Sequence, residues 1–385
     1  MVGLVRAGRS QRSVAREFRV SLATVQLWVA RAGDTPLEEV DWSDRPSARH
    51  RGPGIPAAVE DLILELRHEL RDTSDLGEYG AVAIRRALAE RGDGTWPVPP
   101  VRTIGRVLER RGALDGQRRV RRPAPPPGWY LPDLALRGCE LDSFDVVDGL
   151  YLEGQPELGI LTGISLHGGL PDAWPAFGMR VGQVVPAMLG RWRADGLPAY
   201  AQFDNDPRFI GGHAHPDSIG SVVRICLALG VVPVFAPPRE SGFQASIESF
   251  NGRWQTKVWS RYRGNTLAGL QAQSDRWIAA LRARSAVRID EAPPRLPFPA
   301  DVDPLGRSMP LDGRMIFLRR TNDAGSISVL GHQLHVNRLW PHRLVRAELD
   351  LAAGRIEFYG LRRREPLNHL ILGRLTYPIP DRWRR

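Results

Sequence analysis

Lysine is all but missing from this chain. Lys257 is the only one in 385 residues, so arginine supplies nearly all of the 53 basic side chains set against 43 acidic ones. A net charge of +10 built from one residue type reflects composition as much as an anionic partner, so its distribution says more than its total. The charges balance over residues 137–295, and the excess lies before and after that stretch. Cysteine is scarce too. Cys139 and Cys226 are too far apart in sequence for a metal-ligand pair, which excludes a disulfide framework and a cysteine-rich metal module. Apolar runs stay well short of the ~20 residues a membrane span needs. The opening MVGLVRAGRSQR has arginines but no apolar signal core, so a cytoplasmic protein is expected. What remains, 42% hydrophobic and 25% charged residues, is a globular composition long enough for two or three domains of about 100–200 residues.

Helical patterns come first. Leu4, Val5, Val14, Ala15 and Phe18 recur at helical spacing, Arg19-Val20 breaks the pattern, and Ser21 is placed to cap a second helix, Leu22 to Arg31. Val25 and Trp28 or Val29 would face inward, leaving Ala23, Thr24, Gln26 and Leu27 free for a DNA groove. Residues 1–40 therefore read as a helix-turn-helix, with Thr24 and Gln26 as expected DNA contacts. A second helix-turn-helix unit, also expected to bind DNA, follows over 55–115. Val59, Leu62, Leu64, Leu66 and Leu70 mark one helix, Val82, Ile84 and Leu88 another, and Ile104, Val107 and Leu108 a third that starts at Pro99-Pro100.

The run GQRRVRRPAPPPG opens a basic, proline-rich linker over 116–136, in which Arg118, Arg119, Arg121 and Arg122 could follow a DNA backbone. From residue 137 strands and helices alternate. Cys139 to Val147, Leu158 to Leu166 and Asp172 to Phe177 read as strands and Val181 to Ala194 as a helix. Tyr200 to Phe203 is a strand, Ser218 to Leu229 a helix, Val231 to Phe235 a strand, and Ala245 to Arg261 a helix. The order is β-β-β-α-β-α-β-α over a core that runs to residue 295. Short strand patterns separated by turn signals then predict a small β-barrel over 311–378.

Within the α/β core three carboxylates stand out. Asp142 lies in the first strand (Glu-Leu-Asp-Ser-Phe-Asp), Asp204 follows the fourth (Gln-Phe-Asp-Asn-Asp), and Glu248 sits on a helix (Ser-Ile-Glu-Ser-Phe-Asn-Gly). Carboxylates brought together from separate elements are what two hard divalent cations need in order to activate one phosphodiester oxygen and neutralise another. Asp145 rivals Asp142, because the two are three apart in one strand and alternation lets only one of them face the site. Asp142 is preferred here, from its place at the strand centre.

This element order resembles the ribonuclease-H-like fold, and the acids resemble the DDE motif of integrases and bacterial insertion-sequence transposases of the retroviral-integrase superfamily. Phe-Asp204-Asn-Asp-Pro-Arg-Phe209 is similar to that family's Asp-Asn-Gly-x-x-Phe, with Asp206 in place of the glycine, and Ile-Glu248-Ser-Phe-Asn-Gly-Arg-Trp is similar to its glutamate-bearing helix. The resemblance also favours Asp142. It implies a multidomain DNA transposase, with helix-turn-helix units, a catalytic core and a C-terminal barrel like that of Mu-type transposases. It further implies strand cleavage and strand transfer at element ends, with two Mg2+ ions, or Mn2+ in their place, held by Asp142, Asp204 and Glu248. The expected partners are double-stranded DNA and further copies of the chain, with no membrane and no small-molecule substrate. Arg253 and Lys257, which follow Glu248 at helical spacing, could hold phosphates. The alternative is a DNA-binding regulator or structural subunit that keeps the fold without catalysis.

Overall fold

The computed structural model describes residues 1–43, 55–91, 97–114, 127–212, 215–240, 242–300, 312–380 and Trp383. The chain divides into two compact units, Met1–Val59 and Glu60–Arg385. In the first, α1 (Val2–Arg6), α2 (Gln11–Glu17) and α3 (Leu22–Ala32) close around buried Val14, Ala15 and Val25. The turn between α2 and α3 passes through Arg19, whose φ of 52° reverses the chain. Ser21 then caps α3 by accepting a hydrogen bond from the Thr24 amide at 3.1 Å.

The helices α4 (Ala57–Thr73), α5 (Ala81–Arg91) and α6 (Val101–Arg110) come next. Ile63, Leu66, Ala83, Ile84, Ala87, Leu88, Ile104, Val107 and Leu108 are buried. The sequence expectation placed Leu62 and Val82 on the inner faces, but both are exposed, because Ile63 and Ile84 carry those faces. After the short α7 (Pro132–Ala135), the sheet begins with β1 (Leu141–Tyr151), β2 (Glu157–Ser165) and β3 (Pro171–Phe177), joined as an antiparallel meander. The helix α8 (Val181–Asp195) leads to β4 (Tyr200–Phe203), and α9 (Pro207–Ile210) and α10 (Ser221–Ala228) lead to β5 (Val232–Phe235). Both β4 and β5 run parallel to the sheet through β1, which gives the order β3-β2-β1-β4-β5. Then come α11 (Ala245–Lys257), α12 (Leu267–Arg284) and α13 (Ala286–Asp290). The result is a mixed α/β architecture with a large central mixed sheet, compatible with a ribonuclease-H-like core.

The expected C-terminal barrel takes a different form. Of its strands, β6 (Arg314–Arg320) hydrogen-bonds in parallel to β5, and β9 (Leu344–Asp350), β10 (Arg355–Gly360) and β11 (Leu370–Thr376) continue outward from it. The sheet is therefore a single one of nine strands, β11-β10-β9-β6-β5-β4-β1-β2-β3. A separate hairpin is formed by β7 (Ser326–Val329) and β8 (His332–His335). The physical reason is an aromatic row laid across the strands. Phe144, Phe203, Phe235 and Phe317 follow one another at centroid distances of 5.8, 6.0 and 5.3 Å, and all are fully buried. Among the described residues no boundary in packing separates the C-terminal strands from the core.

Helices cover both faces of the sheet. On one, α8 and α10 bury Val184, Met188, Leu189, Trp192, Val223 and Cys226 against that row. On the other, α11 and α12 bury Ile247, Phe250, Trp254, Leu270 and Trp277 against Leu158, Ile160 and Ile164. Among the described residues no helix is long and apolar enough to cross a membrane.

Candidate active site

Alternation along β1 decides which acid faces which layer. Asp142 and Phe144 point to the α8 side, and Ser143 and Asp145 to the α11 side. Asp142 is fully buried and fully engaged. Arg191 reaches it through Nε at 3.0 Å and Nη2 at 3.1 Å, Arg295 through Nη1 at 3.0 Å and Nη2 at 2.6 Å, and Trp192 Nε1 donates at 3.1 Å. Burial alone would push this carboxyl up, but the two guanidiniums outweigh it and hold it far below the usual carboxylate range. The expectation that Asp142 joins Asp204 and Glu248 is thus corrected. Its carboxylate lies across the sheet from them and is committed to an ion-pair cluster that also includes Asp172.

Asp145 is the first-strand acid on their side. Its Oδ2 accepts from Asn251 Nδ2 at 2.7 Å, and its Oδ1 accepts from the Val146 amide at 2.9 Å. Burial pushes its carboxyl up to about 6, with the charges of Asp204 and Glu248 adding to the rise. Asp204 follows β4, which pairs with β1 in the register Asp142 to Ala201 and Ser143 to Gln202, so two residues further on Asp145 and Asp204 come level. Burial raises the Asp204 carboxyl as well, with the neighbouring Asp206 contributing, while a hydrogen bond from the Asp206 amide at 3.0 Å opposes the shift. Glu248 stands in the first turn of α11, and it lines one cavity of about 600 Å3 together with Asp204, Asn205, Asp206 and Glu240. Among the described residues no three such side chains stand in a finished metal-binding arrangement. The donor set nevertheless suits a hard divalent cation. The charged form of Asp145, opposed by burial and by the charges of Asp204 and Glu248, would be relieved by a positive charge placed between the acids.

Retroviral proteins are among the solved structures that match this chain. A chain of the simian T-cell lymphotropic virus intasome in complex with PP2A regulatory subunit B56 gamma matches at a TM-score of 0.34 and 13% identity, over 71% of this chain and 87% of that one. The HTLV-2 integrase catalytic core domain in complex with magnesium matches at 0.27 and 12%, over 37% and 85%. The BIV integrase catalytic core domain matches at 0.28 and 18%, over 37% and 82%. No family model matches the chain, and no curated protein does. The functional reading therefore rests on the chain's own side chains.

Several of these the sequence did not single out. Asn251 is one helical turn from Glu248, and besides holding Asp145 it accepts from Thr162 Oγ1 at 2.7 Å through its own oxygen. The Glu-x-x-Asn spacing was the available signal. Arg319 on β6 is nine-tenths buried, and its partners are neutral: Asn205 Oδ1 at 2.7 Å, Ala236 O at 3.2 Å and Ser328 O at 3.1 Å. Desolvation lowers its pKa to about 10. Asn205 in turn donates to Ala236 O at 2.8 Å, so a residue of the C-terminal strands fixes the turn that carries Asp204. No local pattern announces a contact so distant in sequence. Arg208 is held at the cleft edge by Asp148 at 2.7 Å and Asp206 at 2.6 Å.

The expected DNA contacts fare differently from one another. Gln26 is exposed on α3, whereas the Thr24 hydroxyl is tied to Ser21 Oγ at 2.7 Å. Arg118, Arg119, Arg121 and Arg122 lie outside the described residues. Arg253 is exposed on α11. Lys257 turns to the second helical unit, where Nζ donates to Gly77 O at 2.8 Å and sits 5.7 Å from the Tyr79 ring centre. Arg261 makes a parallel bond to Ser74 O at 3.1 Å. Lys257 is therefore a clamp between helices in this structure.

Proposed function

We propose that the chain is a polynucleotidyl transferase of the DDE type that cleaves DNA strands at the ends of a mobile element and joins them to target DNA. Its catalytic carboxylates are Asp145, Asp204 and Glu248. The observation that carries the reading is the grouping of Asp145, Asp204 and Glu248 on one face of the sheet, with Asp145 held by Asn251 and destabilised in its charged form by burial and by its two neighbours. The sequence resemblance to DDE transposases around Asp204 and Glu248 supports it. Asp145 takes the place expected of Asp142, whose carboxylate is already neutralised by arginine.

Two Mg2+ ions, or Mn2+, held by these three residues would supply Lewis-acid activation of the attacking oxygen and neutralisation of the leaving one. The protein's own part is positional. Asn251 and the Val146 amide fix the Asp145 carboxylate, the Asp206 amide fixes Asp204, and α11 presents Glu248 from its first turn. Double-stranded DNA and further copies of the chain are the proposed partners, with the helices of residues 1–40, in which Gln26 is exposed, as one DNA-binding element. The test is a paired assay of binding and cutting. Asp204→Asn is expected to retain duplex in a gel-shift experiment while nicking none of it in Mg2+ or Mn2+, and nicking at the wild-type rate by this variant would refute the proposal.

A further inference from the structure

Beside the carboxylate cleft, on the same face of the sheet, lies a second cavity of about 330 Å3. Its volume is at the small end of the ~300–1,000 Å3 typical of ligand sites. Its floor is Ser143 of β1 and Gln202 of β4, and its walls include Trp129, Tyr130 and Phe243. Ser143 and Gln202 each precede a proposed metal ligand by two residues, so the floor lies roughly 7 Å from the carboxylates along the strands. Gln244 lines both cavities and joins them.

Gln202 is the informative side chain. It is only 1% exposed, and its Oε1 accepts from Tyr130 OH at 3.1 Å and Ser143 Oγ at 3.2 Å, while its Nε2 is buried with no partner among the described residues. A buried amide left without a partner is costly, and beside a cavity it is a place where another molecule can complete the bonding. The site thus offers a donor that cannot also accept, in an aromatic-walled slot. At its rim stands Arg253, which has no ion pair among the described residues.

We propose that this cavity receives a single unstacked nucleobase of the DNA strand engaged at the cleft, and that Gln202 selects a base presenting a carbonyl, such as guanine O6. Guanine offers O6 and N7, both acceptors, on one edge; adenine places an amino donor beside N7. That donor would face the Gln202 amide protons, donor against donor. Arg253 is placed to meet the adjoining phosphate. The inference rests on the proposed strand-cleaving role of the neighbouring carboxylates, because that role is what brings a strand to the cavity.

Saturation-transfer NMR titrations of the full chain in EDTA, with dGMP and dAMP as probes, test it without requiring cleavage. Saturable dGMP binding is expected, with dAMP weaker by roughly tenfold. Gln202→Leu should abolish that preference, and Ser249→Trp, a change at an exposed position on the cavity rim, should abolish binding of both. Asp204→Asn should bind dGMP as the wild type does, so a failure of the catalytic reading registers in the nicking assay and not here. Absence of saturable binding, equal affinity for the two nucleotides, or dGMP binding that survives Ser249→Trp would overturn the proposal.

Discussion

Two aspartates three residues apart do opposite work in this protein. Asp142 is a buried structural anion on which two arginines and a tryptophan converge. Asp145 is an acid kept uncomfortable by burial and by its neighbours. Removing one side of a buried ion pair leaves an uncompensated charge and costs about 3–5 kcal/mol. Asp142→Asn is therefore expected to lower the chemical-denaturation stability by about that amount. Asp145→Asn should leave it unchanged or higher, since a half-satisfied buried charge disappears. The opposite ranking in urea melts would show that the two roles have been exchanged. The sequence held enough to see that Asp142 and Asp145 point apart, because alternation is a local rule. It did not hold Arg191 and Arg295, whose approach to Asp142 depends on how α8 and the stretch after α13 return to the sheet.

At the scale of elements, what was legible was whatever a short window determines. The strands and helices from β1 to α12 follow their hydrophobic periods closely, and the cap at Ser21 is present as its position suggested. What was not legible is the partner each element finds. Strand β6 reads alone as the first strand of a barrel, yet stacking of Phe317 on Phe235 recruits it into the core sheet and carries Arg319 to the turn beside Asp204. This makes Arg319 a positioning residue. Arg319→Met is expected to reduce Mn2+-dependent nicking by about 10–100-fold, chiefly as a higher metal requirement, with duplex binding retained. A variant with an unchanged metal titration would remove it from that role. Further along the sheet, His369 precedes β11, and burial, then the charge of Arg346, push its pKa from the ordinary 6.5 down to about 4. Its Nδ1 lies 2.8 Å from Arg346 Nη1 and accepts from it in the neutral form. The neutral ring is thus the one that stabilises. Its contribution is complete above pH 6.5 and is lost as the pH falls toward 4. Melting temperature should therefore drop more steeply over that window in the wild type than in His369→Gln, and identical slopes would contradict the assignment.

For the whole molecule, nine strands in one sheet change what the C-terminal strands mean. In place of an appended module, β6 and β9–β11 extend the sheet that carries the carboxylates. The second helical unit is fastened to the same body by Lys257 and Arg261 at the end of the helix that bears Glu248. The composition gave the charge, but not this use of it. Lys257, which seemed free to hold phosphate, serves with Arg261 to join helices, and two further arginines neutralise an aspartate inside the core. The central claim is that the acids facing α11, and not the acid facing α8, make the reactive centre. The most direct measurement is nicking of supercoiled plasmid by the purified protein in Mn2+, with Asp145→Asn and Asp142→Asn compared at a temperature where both are folded. The account predicts that Asp145→Asn abolishes nicking while folded Asp142→Asn still cuts. Cutting by Asp145→Asn at the wild-type rate would contradict it.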